Sequence, residues 1–283
     1  MSIDPGERDV RLSYRYIPNF ITQEEEEYLL RKISETPQPK WKNVTGRRLQ
    51  IWGGDLGPGG TLLAQPLPPF INSFPNLVER IAATKTFQDS AHQGPNHVII
   101  NEYKPGEGIM PHEDGPAYHP VVATISLGSH AVFHYLRYKP DDASIDDDGE
   151  VRDNSTDMKT SKGKVIDKTP VLSLLLEPRS VIITSGTLYK DHLHWIEDVA
   201  VDHIAGADET AQPDAEENRT NAVDSSLDVG SPPPRYRMDN WEQVTGEREK
   251  EVVRSGGVLE RGTRVSLTCR DVAKVRKIGL LKR

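Results

Sequence analysis

A histidine and an aspartate one residue apart, His112 and Asp114 in the stretch HVIINEYKPGEGIMPHEDG (residues 97–115), are the residues of this chain best suited to carry chemistry. At an extended strand end side chains alternate, so these two point to one face and Glu113 to the other. Two histidines and one carboxylate on one octahedral face form the ligand arrangement of non-haem Fe(II), because three cis positions stay free for a bidentate cosubstrate and dioxygen. The missing ligand must then be a distant histidine. His192 and His194 in KDHLHWIED share a face if extended, and spacing alone does not separate them. An isolated His-x-Asp is more often a surface polar pair than a site, so the motif needs support.

That support lies on both sides. Asn101 and Tyr103 repeat with period two on the preceding strand, and PGEG (105–108) supplies a turn that brings that strand back beside His112. Far downstream, Arg264 and Arg270 in RVSLTCR would share a strand face with Ser266 and Thr268. Arginine's planar fork binds a carboxylate bidentately and stays charged when buried, as the distal carboxylate of a dicarboxylic cosubstrate requires. A solvated strand face is the competing explanation of the two arginines.

The elements that must position these groups are mainly strands. Segments 97–103, 121–128, 131–138, 171–177, 180–185 and 264–272 are short, rich in Val, Ile, Leu and Tyr, and bounded by Gly or Pro, the pattern of a sandwich or barrel. Thr22-Gln-Glu-Glu25 offers a capping box to a helix carrying Tyr28, Leu29, Leu30 and Ile33, and a second helix is expected within 69–85. The division predicted is an α-rich N-terminal extension and nucleotide lid at 1–95, followed by a β domain at 96–283. Two acidic insertions, 139–168 and 202–234, interrupt that domain and carry too little apolar material to offset ordering entropy.

The chain's 283 residues are ample for a buried core, and its single cysteine, Cys269, points to a reducing compartment. No apolar run is long enough to span a membrane, and residues 1–10 lack the features of a signal or transit peptide. The net charge of −8 argues at first against a phosphate-bearing partner. Counted by segment, however, the two insertions hold −3 and −7, so the remainder is +2 (−8 + 10), and 11 bases face 5 acids over 247–283. The basic end, 270–283, reads either as a phosphate-binding tail or as a solvated terminus.

Taken together, Asn-x-Tyr, His-x-Asp, VATISLG (122–128), a late histidine and Arg-x5-Arg resemble the AlkB family of Fe(II)/2-oxoglutarate dioxygenases in order and spacing. The words YIPNFIT (16–22), RRLQIWGGD (47–55), GEGIMPHEDGP (106–116), SLLLEPRS (173–180) and RGTRVSLT (261–268) resemble the eukaryotic sixth AlkB homologue subgroup more than the bacterial repair enzyme. The resemblance implies a double-stranded β-helix (jelly roll) with flanking helices. It also implies Fe(II) held by His112, Asp114 and His194, with 2-oxoglutarate and O2 as cosubstrates. By the same resemblance Arg264 takes the distal 2-oxoglutarate carboxylate, Asn101 and Tyr103 hydrogen-bond to the cosubstrate, and Arg270 supports its proximal carboxylate and Asp114. Ser266 stands where the bacterial enzyme has Asn.

The implied reaction is oxidative demethylation of alkylated RNA or DNA, yielding formaldehyde, succinate and CO2, on a base that is single-stranded or flipped. Arg47, Arg48 and Trp52, with Tyr118, are the candidate substrate contacts. A monomer with no membrane contact, in nucleus and cytoplasm, is expected. The alternatives are a 2-oxoglutarate-dependent protein hydroxylase or demethylase, a nucleic-acid-binding protein with a silent site, and a zinc hydrolase, in which the Arg and Asn-x-Tyr elements have no role.

Overall fold

The computed structural model describes residues 13–139, 164–207 and 232–277. In chain order its N-terminal elements are β1 (Tyr14–Ile17), α1 (Gln23–Ser34), β2 (Lys42–Val44), β3 (Arg47–Trp52), β4 (Gly54–Gly57), β5 (Thr61–Ala64), α2 (Pro69–Asn72) and α3 (Leu77–Ala83). Then follow β6 (His97–Tyr103), β7 (Ile109–His112), β8 (Tyr118–Leu127), β9 (Ala131–Leu136), β10 (Leu172–Leu176), β11 (Val181–Thr184), α4 (Gly186–Lys190) and β12 (Leu193–Ile196). The last elements are β13 (Val201–Ala205), β14 (Tyr236–Arg237), α5 (Glu247–Ser255), β15 (Gly257–Glu260), β16 (Arg264–Val272) and β17 (Val275–Lys277).

A seven-stranded sheet, β1-β11-β8-β16-β6-β3-β2, faces a four-stranded sheet, β10-β9-β12-β7, in a jelly roll. Strand alternation divides the large sheet cleanly. Val98, Ile100, Ala123, Ile125, Leu127, Val181, Ile183, Val265, Leu267 and Cys269 pack outward against Leu29, Ile33, Ile71, Leu77 and Ile81 of the helices. The alternate residues Tyr103 and Ile182 face inward and join Phe133, Tyr135, Leu172, Leu174, Leu176 and Ile196 of the small sheet. Burying one such Leu or Ile contributes about 1.5–3 kcal/mol, so the outer layer of contacts is what clamps the helices to the sheet. A further three-stranded sheet, β14-β13-β15, packs with α5 on the outside of the small sheet through Val132, Leu175, Ile204, Val253 and Leu259.

α1 begins with the expected capping box: Thr22 Oγ1 accepts from Glu25 N at 3.2 Å, and Thr22 N donates to Glu25 Oε2 at 2.9 Å. Glu25 also takes two bonds from Arg80 of α3, and Glu26 accepts from Gly128 N at 2.8 Å, which pins α1 to α3 and to the end of β8. Strands 97–103 and 264–272 fall where the sequence predicts them. The expected second helix is two short ones, α2 and α3.

Two expectations are corrected. Of the expected α-rich extension at 1–95, the described residues 13–95 also contribute strands to the large sheet, where β1 pairs with β11 and β3 with β6. These strands are short and partly exposed, and lack the apolar runs by which strands are read from sequence. The acidic insertions are also narrower than 139–168 and 202–234; their middles, 140–163 and 208–231, lie outside the described residues. Ile166 is buried and bridges to Tyr138. Asp202 is buried in β13, where Arg261 donates to both its oxygens at 2.7 and 2.6 Å. Composition cannot reveal that an acid is matched by an arginine 59 residues away.

Candidate active site

The inward faces of β6, β8, β16, β7 and β12 enclose a cavity of about 270 Å³. β7 and β12 are antiparallel neighbours with His112 directly opposite His194, and the two ring centroids are 4.1 Å apart. Asp114, just beyond β7, completes a group in which one ligand atom from each residue lies within 4.8 Å of the others. Glu113 points away and accepts from the Tyr138 hydroxyl, as alternation requires.

Three features fit this group to a divalent metal. A carbonyl can only accept, so His112 Nδ1 must donate to Met110 O, at 2.8 Å, which leaves Nε2 with its lone pair free. Burial, and then the His112 imidazole beside it, pushes His194 down to about 3, so it too is a neutral ligand at pH 7; its ring stacks on Phe133 at 5.5 Å. Asp114 Oδ1 accepts from Arg270 Nη2, whereas buried Oδ2 has no hydrogen-bond partner among the described residues. Burial alone would raise the Asp114 carboxyl, but the Arg270 charge, with His194, overrides it and holds the group below the usual carboxylate range. His194, and not His192, belongs to this group and lines the cavity; His192 Nδ1 is bonded to Thr187 O at 3.0 Å.

Arg264 is buried, with Nη2 donating to Ser126 Oγ at 2.9 Å and Nε without a partner among the described residues. Burial lowers it only to about 10, so it remains a cation. A buried, under-satisfied guanidinium is costly unless a carboxylate joins it, and this one lies in the same cavity as the His–Asp–His group. Asn101, Tyr103, Ser266 and Thr268 line the same space, and the Tyr103 ring lies 5.6 Å from the Arg264 guanidinium. Asn101 Oδ1 accepts from Arg47 Nε at 3.0 Å.

Of the four substrate candidates, Arg47 and Tyr118 line the cavity; Arg48 and Trp52 do not. Both lie on the opposite face of β3. Arg48 donates twice to Glu102, at 2.6 and 2.8 Å, and sits 4.1 Å over Trp41. Trp52 donates to Gln50 Oε1 at 2.9 Å and packs edge-on against Phe70. Period two assigns residues 47, 49 and 51 to one face and 48, 50 and 52 to the other, so the adjacent arginines could not both face inward.

Sequence reasoning passed over Thr124, Phe133 and Thr184, which also line the cavity and which alternation along the predicted strands could have found. It passed over Tyr189 too, whose buried hydroxyl has no partner among the described residues and is raised by burial and then by the Asp114 charge. His97, given no role, is buried beside the Tyr118 ring, with centroids 5.7 Å apart.

A second, more open hollow of about 480 Å³ adjoins the cavity and shares Arg47, Ile109, His112 and Ile196 with it. Val44 and the 65 % exposed Met110 stand on its walls. Its shape depends on Gly108: a Cβ there would lie 2.4 Å from Ile196 O.

The sequence pattern of the 2OG-Fe(II) oxygenase superfamily matches residues 60–270. The chain is 36% identical over 265 residues to "Probable RNA/DNA demethylase ALKBH6" of Danio rerio, covering 94% of this chain and 88% of the relative. It is 26% identical over 197 residues to "Alkylated DNA repair protein ALKBH8 homolog" of Arabidopsis thaliana, covering 66% of this chain and 51% of the relative. Among solved structures, that of OsALKBH1 aligns with a TM-score of 0.43 at 16% identity, over 92% of this chain and 98% of that one. The matched family uses Fe(II), 2-oxoglutarate and O2, and the His–Asp–His group of this chain is of the kind that holds such an iron. This chain belongs to the 2OG-Fe(II) oxygenase superfamily, in its AlkB-like branch, and is an oxidoreductase.

Proposed function

We propose that this oxygenase removes N-linked methyl groups from alkylated nucleic acid, on a base that is unpaired or flipped out of its stack. In this reading His112 Nε2, His194 and Asp114 Oδ2 hold the iron, and Arg270 fixes Asp114 by occupying its other oxygen. Arg264 takes the distal carboxylate of 2-oxoglutarate, with Asn101, Tyr103 and Ser266 completing its pocket. When bound, the metal supplies activation of O2 coupled to decarboxylation of 2-oxoglutarate to succinate and CO2. The chain's own work is to keep both histidines neutral, to orient the cosubstrate through Arg264, and to exclude water from the cavity.

The observation that carries the reading is the juxtaposition of the His–Asp–His group with the unpaired Arg264 in one cavity, next to a hollow that reaches His112. A methyl carbon seated there gains oxygen, and the carbon–nitrogen bond then breaks to release formaldehyde. The similarity to the Danio rerio "Probable RNA/DNA demethylase ALKBH6" supports nucleic acid as the carrier of that methyl group. A base inside a duplex cannot enter such a pocket. Arg47 stands at the junction of cavity and hollow, where it can contact cosubstrate and substrate together.

The test is turnover with Fe(II), 2-oxoglutarate and matched panels of methylated single-stranded RNA, single-stranded DNA and peptides. Succinate and formaldehyde formed in step with demethylated oligonucleotide are expected. Turnover of peptides alone would establish the protein-hydroxylase alternative, and no turnover on any panel would overturn the reading.

A further inference from the structure

β17 is a short strand of unusual character. It follows β16 after two residues, pairs parallel with β5, and forms the edge of the three-stranded sheet β17-β5-β4. Residues 273–277 are all exposed, and this stretch carries Lys274, Arg276 and Lys277. None of the three side chains has an ion pair or hydrogen bond among the described residues. The sheet's one carboxylate, Asp55, lies across Leu63 from Arg276, two strand spacings or about 10 Å away.

The strand's position gives these cations a direction. Val272, two residues before Lys274, is paired with Tyr118, which lines the cavity and lies 4.9 Å under the Arg270 guanidinium. Gly60, at the turn into β5, abuts Ala117 on the other side of the same corner, at 3.0 Å from a Cβ placed on the glycine. Lys274, Arg276 and Lys277 follow Arg270 by four, six and seven residues, so their Cα atoms lie at most about 14, 22 and 25 Å from that of Arg270, which is bonded to Asp114. That is within reach of phosphates a few nucleotides from a base held in the cavity.

We propose that residues 274–277, β17 and the residue before it, form a phosphate-contacting rail, on which Lys274, Arg276 and Lys277 hold the backbone of a single-stranded nucleic acid while one of its bases occupies the cavity. The inference rests on the demethylase reading and adds to it the surface that holds the strand outside the cavity. A phosphodiester backbone is favoured over other anions because Lys274 and Arg276 share one face of an extended segment, with Lys277 at its end on the other, beside the corner that bounds the cavity. Cations on an edge strand also deter edge-to-edge pairing with another chain, and that protective role is the rival explanation.

The experiment compares the full chain with its Lys274→Gln/Arg276→Gln/Lys277→Gln variant and with a charge-keeping Lys274→Arg/Arg276→Lys/Lys277→Arg variant. Each is titrated with a methylated single-stranded oligonucleotide at several salt concentrations. Each lost phosphate contact lowers the slope of log K against log salt by about 0.7, so the Gln variant should lose up to about 2 in slope while the charge-keeping variant retains it. KM for the oligonucleotide should rise in the Gln variant only, and succinate formation without substrate should be equal in all three. An unchanged slope in the Gln variant, with an active parent, would leave the cations their protective role and overturn the rail. A parent that neither binds nor demethylates any oligonucleotide removes the functional reading itself, a result distinct from an unchanged slope.

Discussion

Each functional side chain here owes its chemistry to one identifiable neighbour. His112 presents Nε2 because Met110 O holds Nδ1, and Asp114 presents Oδ2 because Arg270 holds Oδ1. Among the described residues Arg264 donates a hydrogen bond only to Ser126, which leaves its buried Nε open to a carboxylate. Replacing Arg264 by Gln should therefore raise KM for 2-oxoglutarate about 10–100-fold, the effect of losing a charged hydrogen bond of about 1.5–3 kcal/mol. Saturation curves of succinate formation check this, with kcat at saturating cosubstrate little changed. The adjacent arginines of β3 should separate just as sharply. Arg47→Ala should lower kcat/KM through its contact with Asn101, whereas Arg48→Ala should leave kinetics intact and cost about 1 kcal/mol or less through the partly exposed Glu102 pair. Steady-state kinetics alongside thermal melts distinguish the two; a kinetic defect in Arg48→Ala would contradict the assignment of faces.

At the scale of elements, the site is an agreement between two sheets. β16 supplies Arg264, Ser266, Thr268 and Arg270 from one face while Val265, Leu267 and Cys269 hold the helices from the other. β7 and β12 bring His112 and His194 into register, and this pairing has little slack where Gly108 meets the backbone of residues 196–198. In Gly108→Ala the methyl would meet Ile196 O and Glu197 C at 2.4 and 2.7 Å, so backbone must move. We expect Fe(II) affinity, measured by anaerobic titration, to fall about tenfold or more while the large sheet and its helices stay folded. Affinity equal to that of the parent would show that the two strands adjust independently of this contact. The α1 capping box lies on the opposite side of the large sheet. Thr22→Ala should thus cost about 1 kcal/mol in stability and leave cosubstrate KM unaltered.

Across the whole molecule, layers stack from helices to large sheet, cavity, small sheet, and finally the β13–β15 sheet with α5. This depth buries histidines that the reaction does not use. His134 is fully buried between Trp195 and Tyr236, with Nδ1 against Ser173 Oγ at 2.9 Å, and burial pushes it down to about 4. Its folded pKa lies below the unfolded value of about 6.5, so the native state binds fewer protons there, and stability present above that value is lost as pH falls toward 4. Between pH 7 and pH 5 this one group should cost the metal-free protein about 2 kcal/mol. Urea unfolding at the two pH values checks the figure: His134→Gln should flatten the dependence by about that amount, and an unaltered dependence would mean that other groups set it. No described helix is long and apolar enough to cross a membrane.

The local pattern of the sequence was enough for what depends on local repeats. The faces of 97–103 and 264–272, the pairing of His112 with Asp114 and the cap of α1 all follow from side-chain periodicity within a few residues. Periodicity names two faces of a strand but not which one meets the cavity; partner strands distant in sequence decide that. Hence Arg47 and Arg48 could be separated only once β3 lay beside β6, and His194, which spacing alone did not separate from His192, was set opposite His112 by the pairing of β12 with β7. The strands of the N-terminal segment carried too little apolar signal to be read, and gained their identity from β6 and β11. Residue types and spacing determined the chemistry available to this protein, while tertiary pairing decided which of those groups share one desolvated space, because burial and register come from contacts that no short stretch of chain contains.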